Sequence, residues 1–236
     1  SSIEKTPEPS KATQTILRCI MIQIYNEDCL KAMKEMPNDS FDLAICDPPY
    51  GIHEKLKTTD KKRNGNAFAV EYMKKQWDKC RPSKEYFVEL QRVSKNQVIW
   101  GGNYFADLLP PSRGWICWDK VLDNFTSVNH ELAWTSFDKG LKMFRRDHGK
   151  NHGFMLRRPE DQKIHPTQKP IALYNWILSH YAKKGDKILY THLGSGSIAI
   201  ACHNMNFDLT AFEIDEEYYQ AALKRLQNHQ RQLKLF

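Results

Sequence analysis

The stretch KILYTHLGSGSIAIACHNMNFDLTAFEID, residues 187–215, decides the fold. Two apolar runs in it enclose a glycine-containing turn and a helical segment, an order typical of a parallel β-α-β unit. The pattern predicts a strand at 187–190, a turn at 191–197, a helix at 198–204, a strand at 209–214 and a long helix from 215. Because Gly194 and Gly196 lack side chains, a ligand can approach the backbone and the first amides of the helix. The turn therefore indicates a binding site.

An acidic residue follows this turn at a spacing in the sequence that is typical of nucleoside-binding sites. Glu213 stands at the end of the second strand, and an acid about 20 residues after a glycine turn is typical of a ribose-binding position. Ala199 replaces the third glycine of a full G-x-G-x-x-G, so a dinucleotide is not specifically indicated. The segment favours a nucleoside cofactor, with an ordinary turn and an exposed acid as the alternative.

The same alternation of short and long apolar segments begins at Met21. We expect strands at 21–25, 41–46, 97–100, 114–118 and 132–137, and helices at 27–36, 83–94 and 170–181. The order predicts an α/β domain over 21–236, with a mostly parallel sheet and helices on both faces. Residues 1–20 are rich in Ser, Thr, Pro and Lys, and we expect a tag or disordered extension there.

Composition excludes several classes of protein. The 236 residues are 41% hydrophobic with a mean hydropathy of -0.65, and no apolar run reaches the roughly 20 residues that cross a bilayer. Six cysteines are scattered singly without a C-x-x-C pair, which favours free thiols in a reducing compartment such as the cytoplasm. The net charge of +7 favours polyanionic partners, although ordinary basic enzymes share it.

Asp47-Pro48-Pro49-Tyr50 follows the expected strand at 41–46 and suits one kind of chemistry. The amino group of a nucleobase is a poor nucleophile, because its lone pair is delocalised into the ring. The Asp47 carboxylate and the Pro48 carbonyl can each accept an N–H hydrogen and draw that lone pair out of conjugation. The prolines fix the backbone in advance, and Tyr50 can stack on the base.

A rigid turn with a capping aspartate is the alternative interpretation of this motif. We favour the chemical interpretation because the aromatic residue and the nucleoside-binding segment occur in the same chain. The nine histidines show no metal-ligand spacing, so no metal site is expected. Four tryptophans fall in expected strands and are predicted to be core residues: Trp100, Trp115, Trp118 and Trp134.

Three motifs in a fixed order carry a resemblance to a known family. Asp47-Pro48-Pro49-Tyr50, then His165-Pro166-Thr167-Gln168-Lys169-Pro170, then His192-Leu193-Gly194-Ser195-Gly196-Ser197 resemble the amino-group DNA methyltransferases of the β motif order. The resemblance implies a Rossmann-like methyltransferase fold, S-adenosylmethionine as cofactor, and methylation of adenine N6 or, less often, cytosine N4 in double-stranded DNA. It also implies a bacterial or phage-encoded protein of the cytoplasm, with a homodimer left open.

The resemblance also assigns roles to residues. Asp47 and Pro48 orient the target amine, Pro49 completes the rigid turn, and Tyr50 stacks on the flipped base. The implied cofactor contacts are Asp28, Asp47, His165, Thr167, Lys169, His192, Leu193, Gly194, Ser195, Gly196, Ser197 and Glu213. Among them, Glu213 binds the ribose, Asp28 lies near the cofactor adenine, and Thr167 and Lys169 hold the methionine end. Thr167 can also cap a helix whose first turn contains Pro170, and the two interpretations can hold together.

Basic residues outside the motifs suggest where DNA binds. The candidate phosphate contacts are Lys61, Lys62, Arg63, Arg145, Arg146 and Lys150, and a solvated face is the equal alternative. Target recognition is expected in 53–79 and 112–160.

Two further expectations concern activity. Asp rather than Ser before Pro48 leans by resemblance toward adenine N6, with cytosine N4 as the alternative. Tyr190 departs from the family pattern, because members usually carry an acid there. A catalytically weak or silent DNA-binding homologue is therefore a second alternative.

Overall fold

A computed structural model describes residues 20–52, 80–121, 129–146, 164–165 and 167–232. Its centre is an eight-stranded sheet in the order β1-β8-β7-β2-β3-β5-β4-β6. The strands are β1 (Ile22–Tyr25), β2 (Phe41–Cys46), β3 (Ser94–Trp100), β4 (Trp115–Asp119), β5 (His130–Thr135), β6 (Lys142–Arg145), β7 (Lys187–Tyr190) and β8 (Asp208–Phe212). All neighbouring strands are parallel except that β5 runs antiparallel to β3 and β4. The expected α/β class and mostly parallel sheet are confirmed.

Five α-helices lie in the described ranges: α1 (Cys29–Lys34), α2 (Lys84–Val93), α3 (Ile171–Tyr181), α4 (Ser197–Met205) and α5 (Glu216–Gln232). Polar side chains begin three of them. The Asp28 carboxylate accepts a hydrogen bond from Leu30 N, and the Ser83 hydroxyl accepts one from Tyr86 N. Asp215 caps α5 through the first free amides of that helix. Each cap satisfies backbone donors that a helix end otherwise leaves without partners.

Alternate residues of β2 show why helices cover both faces of the sheet. Leu43 and Ile45 pack into a cluster with α3, α4 and α5, whereas Ala44 and Cys46 pack into a second cluster with α1 and α2. Successive side chains of a strand point to opposite faces, so a strand buried on both sides must be apolar throughout. The run Phe41–Cys46 meets this requirement except at Asp42, near its solvent-facing start. Three of the four tryptophans, Trp100, Trp118 and Trp134, are buried as expected.

The element boundaries differ from the expectations in ways that have physical causes. The expected helix 27–36 begins only at Cys29, because Asp28 turns out of the helix to cap it. Strand β3 starts at Ser94 directly after α2, three residues earlier than expected. Strand β6 was not predicted, since Lys142–Arg145 is short and half charged and is defined by its pairing with β4. Strand β8 ends at Phe212, which leaves Glu213 in the following loop.

Several expectations lie outside the described residues: the extension at 1–19, the basic residues Lys61, Lys62, Arg63 and Lys150, and most of the expected recognition segments. The described part of 112–160 builds β4, β5 and β6. Its assignment to target recognition stays a prediction. The described cysteines form no disulfide. Among the described helices, none combines the length and the apolar character that a membrane crossing needs.

The central strand gives a test of the fold. Ile45 on β2 is fully buried, and Ile45→Ala should lower the free energy of unfolding by roughly 2 to 5 kcal/mol through lost burial and a cavity. Val88 on α2 is 54% exposed, and Val88→Ala should change it by no more than about 0.5 kcal/mol. Urea unfolding of the two variants measures the difference. Equal losses would contradict the placement of β2 at the centre.

Candidate active site

The candidate site lies where three neighbouring parallel strands end. Strands β2, β7 and β8 are adjacent, so the residues that follow them meet at one edge of the sheet. A cavity of about 190 Å³ opens there. Of the residues expected from the sequence, its lining includes Asp47, Pro49, His165, Thr167, Lys169, His192, Leu193, Gly194, Ser195 and Glu213. The structure thus places the Asp-Pro-Pro-Tyr loop and the glycine turn on one shared cavity.

The glycine turn has the backbone that its sequence requires. Gly194 and Gly196 have φ values of +53° and +71°, in the left-handed region that favours glycine. A Cβ on Gly196 would lie 3.1 Å from the Cβ of Ala222, so this glycine also lets α5 approach closely. Arg225 of α5 donates hydrogen bonds to the Ser195 carbonyl and the Ser197 hydroxyl. Sequence reasoning missed Arg225, because nothing local marks one arginine of a charged helix as a loop anchor.

Glu213 braces the same turn from the opposite side. Its Oε2 accepts a hydrogen bond from Gly194 N at 2.7 Å, and its Oε1 accepts one from Asp215 N at 3.0 Å. Burial raises the pKa of Glu213, although these two amides partly offset the effect. The carboxylate therefore fixes the loop between β7 and α4 and also faces the cavity.

Asp47 is held by two partners at the other side of the cavity. Lys169 Nζ lies 2.6 Å from Asp47 Oδ2, and the Tyr50 hydroxyl donates to Asp47 Oδ1 at 2.8 Å. The first distance is that of a charge-assisted hydrogen bond. Lys169 Nζ also lies 3.2 Å from a carboxylate oxygen of Glu131 on β5. Glu131 was not among the expected site residues, because a single acid in a strand carries no motif.

Burial and charge oppose each other in this group. Burial raises the pKa of Asp47, and the Lys169 ammonium acts in the opposite direction. Burial would also raise the pKa of Glu131, but the ammonium groups of Lys169 and Lys120 lower it to about 2. Burial would lower the pKa of Lys169, yet Asp47 and Glu131 raise it well above its usual value. Lys169 is therefore a buried cation that two carboxylates neutralise.

Tyr50 has a defined stacking environment. Its ring lies against that of Tyr104, with 4.9 Å between centroids and 16° between planes. Tyr104 ends a short 3-10 helix, Gly102–Tyr104, that follows β3. A Cβ on Gly101 would lie 2.3 Å from Tyr50 Cε1, so the tyrosine ring rests directly on the backbone there. The Tyr50 ring is thus oriented by packing before any ligand arrives.

Two histidines contribute uncharged rings to the cavity wall. Burial lowers the pKa of His192 to about 4, and the Asp28 carboxylate offsets this only in part. His192 is therefore neutral near pH 7. The His165 ring packs edge-on against Tyr218 of α5, with 4.4 Å between centroids. The Thr167 hydroxyl lies 3.1 Å from His165 Nδ1 and does not cap α3, whose N-cap is Pro170, so the helix-cap alternative for Thr167 is wrong.

Tyr190, which stands where the family pattern has an acid, lies in the cavity wall. Its hydroxyl is 2.6 Å from that of Tyr174 on α3, and both side chains are buried. Burial raises the pKa of both phenols, so both are neutral near pH 7. This part of the cavity thus offers paired hydroxyls in place of a carboxylate.

Other expected residues lie apart from the cavity lining. Asp28 is exposed and caps α1. Pro48 is buried, and Gly196 and Ser197 begin α4 behind the turn. Arg145 is the last residue of β6, the edge strand on the side of the sheet opposite β1, and Arg146 follows it. Arg145 Nε lies 3.2 Å from Asp119 Oδ2. Roles for Asp28 at the cofactor and for the two arginines at DNA stay predictions.

Comparison with known proteins identifies the class. A family model described as DNA methylase, for the N6 and N4 amino-group methyltransferases, matches residues 97–224, more than half of the chain. The chain belongs to this family of DNA methyltransferases. The resemblance inferred from the three motifs is confirmed.

Individual relatives are similar over most of the chain. The type II methyltransferase M.HpaI of Haemophilus parainfluenzae is 25% identical, over 84% of this chain and 72% of the relative. M.HinfI of Haemophilus influenzae is 24% identical, over 86% and 67%. The structure of an M1.HpyAVI complex with SAM has a TM-score of 0.56 at 24% identity, over 87% of this chain and 100% of the other. PvuII DNA methyltransferase, described as cytosine-N4-specific, has a TM-score of 0.56 at 14% identity, over 87% and 86%. These structures confirm the methyltransferase fold.

Gly101 gives a test of the Tyr50 environment. Gly101 has a φ of +70°, and the alanine Cβ of Gly101→Ala would collide with the Tyr50 ring. We expect a loss of roughly 1 to 3 kcal/mol in the free energy of unfolding and a displaced Tyr50. Gly140→Ala is the matched control, since a Cβ there meets nothing within 4 Å. Denaturant unfolding compares the two variants, and equal stability would show that Tyr50 does not rest on Gly101.

Proposed function

We propose that this protein transfers a methyl group from S-adenosylmethionine to adenine N6 of a base swung out of double-stranded DNA. The observation that carries the proposal is the shared cavity of Asp47 and the Gly194 turn. A group that activates an amine and a site for a nucleoside must face each other for such a transfer. Membership of the DNA methylase family supports the reaction class, and the adenine target is the finer part of the proposal.

The cavity residues fit S-adenosylmethionine. Glu213 has carboxylate lone pairs left after its two backbone hydrogen bonds, and these suit the ribose hydroxyls. The neutral His192 adds no positive charge beside a cationic ligand. Thr167 and the paired hydroxyls of Tyr174 and Tyr190 offer polar partners for the methionine end. When bound, this cofactor supplies an electrophilic methyl group on a sulfonium.

Asp47 activates the amine. Its carboxylate accepts one N–H hydrogen and the Pro48 carbonyl accepts the other, which turns the nitrogen lone pair toward the methyl group. Asp47 is also the natural first acceptor for the proton that the alkylated nitrogen loses. The thioether leaves as a neutral group and needs no proton from the protein. The residues of the chain therefore contribute mainly by positioning the reactants.

Tyr50 holds the base. A target atom inside a duplex is out of reach, and swinging the nucleotide out costs a few kcal/mol. Stacking on an aromatic ring returns roughly 1 to 3 kcal/mol, and contacts of basic side chains with phosphates add to it. Tyr50 lies outside the cavity lining and Tyr104 already stacks on its ring, so the base has to share this ring with Tyr104 or take its place.

Two alternatives to adenine methylation are each favoured by a different observation. Cytosine N4 offers the same kind of amine to Asp47, and the PvuII neighbour is described as cytosine-N4-specific. The aspartate before Pro48 supports adenine by resemblance to the family. Tyr190 in place of an acid favours a weak or silent homologue, but the cavity retains Asp47, Glu213 and the glycine turn.

The product identifies the target. The protein is incubated with unmethylated, mixed-sequence double-stranded DNA and S-adenosylmethionine whose methyl group carries heavy isotopes, and the DNA is digested to nucleosides for mass spectrometry. We expect heavy N6-methyladenine. Heavy N4-methylcytosine would overturn the adenine assignment. No heavy product, with DNA binding retained, would favour the silent homologue.

Two aspartates of β2 and its following loop test the role of the carboxylate. Asp47→Asn should reduce the transfer rate at least about 100-fold, the usual scale for a lost general base. Asp42→Asn is the control, because Asp42 bonds Lys95 and Lys187 away from the cavity. Cofactor affinity, measured by calorimetry, should survive in both variants. Full turnover of Asp47→Asn would remove this carboxylate from the mechanism.

A further inference from the structure

A row of alternating charges leads from Lys120, whose side chain is 13% exposed, to the candidate catalytic loop. Lys120 forms an ion pair with Glu131, Glu131 faces Lys169, and Lys169 bonds Asp47. The Lys169 side chain is only 2% exposed, and its ammonium also lies 5.1 Å from the centroid of the Trp100 ring. Because a buried ammonium without a carboxylate partner is strongly unfavourable, Lys169 must always keep at least one of its two acids.

In this structure each carboxylate oxygen of Asp47 already accepts one hydrogen bond and keeps a lone pair for another. Lys169 donates to Oδ2 and the Tyr50 hydroxyl donates to Oδ1. The proposed function requires this carboxylate to accept a hydrogen from the target amine. An ammonium at 2.6 Å also withdraws the negative charge that the amine needs. A weaker hold of the Lys169 ammonium on Asp47 would therefore make this carboxylate a better acceptor for the amine.

Glu131 lies where it can bind the Lys169 ammonium in place of Asp47. Lys169 Nζ lies 3.2 Å from Glu131 Oε2, so a small movement of the ammonium would form a full hydrogen bond to this oxygen. That oxygen is buried and, among the described residues, has no aligned hydrogen-bond partner. The other oxygen of Glu131 already bonds Lys120, which keeps the carboxylate ionised and in place. Glu131 thus offers the ammonium an acceptor that it already faces at 3.2 Å without an aligned hydrogen bond.

We propose that Glu131 is a positioning residue for the methyl transfer: it draws the Lys169 ammonium away from Asp47, so that Asp47 can receive the target amine. This inference rests on the proposed function. Lys169 keeps its three hydrogens and exchanges one carboxylate partner for the other. The amine lone pair becomes the new N–C bond, the C–S pair stays on sulfur, and the proton released from nitrogen passes to Asp47.

The surroundings of Asp47 define what a change at Glu131 does. The titratable groups facing Asp47 from every packed element are Cys46, Tyr50, Glu131, Lys169, Tyr174 and Tyr190. Only Glu131 adds a second negative charge near neutral pH, and this charge raises the pKa of Asp47. In Glu131→Gln the charge is gone and Lys169 has Asp47 as its one carboxylate. Both effects lower the pKa of Asp47.

The test compares Glu131→Gln with Glu131→Asp, which keeps the charge. Carbon-detected NMR of the carboxyl groups follows Asp47 directly, with its signal assigned by its absence in Asp47→Asn. We expect the pKa of Asp47 to fall in Glu131→Gln, with its acid dissociation constant rising roughly tenfold. In Glu131→Asp the constant should stay near the wild-type value. Glu85→Gln is the control, because Glu85 pairs with Lys34 on the outer face of α2.

Methyl transfer under single-turnover conditions gives the second readout. In Glu131→Gln the rate at neutral pH should fall about tenfold or more, and the acidic limb of the pH profile should move to lower pH. Glu131→Asp should recover most of the rate. Cofactor affinity should not change, which separates this role from a loss of binding.

Each outcome decides one proposal. An unchanged Asp47 titration, or a slower rate with an unmoved pH profile, would overturn the role of Glu131. A wild-type protein without transfer would overturn the proposed function, while the Asp47 titration would still decide the coupling. Lys120→Met covers the case in which Glu131→Gln does not fold: loss of this positive charge should raise the pKa of Asp47, and an unchanged value would contradict the charge row.

Discussion

The buried ion pair between Asp47 and Lys169 is the interaction on which the site depends. It joins segments 122 residues apart and closes the gap between the ends of β2 and α3. A charge pair of this kind contributes little net stability, because desolvation offsets most of its attraction. Its value is geometric: it fixes the catalytic loop against the wall of the cavity that the glycine turn and Glu213 complete.

The sheet order explains why this arrangement arises from so scattered a set of residues. Asp47 follows a strand that is adjacent in the sheet to those before the glycine turn and Glu213, but is far from both of them in the chain. Parallel pairing brings the carboxyl ends of these strands to one edge, where loops carry function without disturbing the core. Helices on both faces bury the strands, so changes in the loops leave the frame intact.

Local sequence predicted the parts of the molecule that local physics controls. The apolar runs and the glycine turn each carry their own signal, and the helices expected at 83–94 and from 215 are capped by Ser83 and Asp215. Strand β6 and the early start of β3 carry no such local signal, because both depend on pairing with neighbouring strands in the sheet. In the same way Glu131 and Arg225 acquire their roles only from contacts across the fold.

The most direct test of the central claim is a crystal structure of the protein with S-adenosylhomocysteine, the demethylated form of the cofactor. We predict that the nucleoside lies in the cavity with its ribose at Glu213 and its sulfur facing the Asp47 carboxylate. A ligand bound outside this cavity, or one whose sulfur points away from Asp47, would contradict the account.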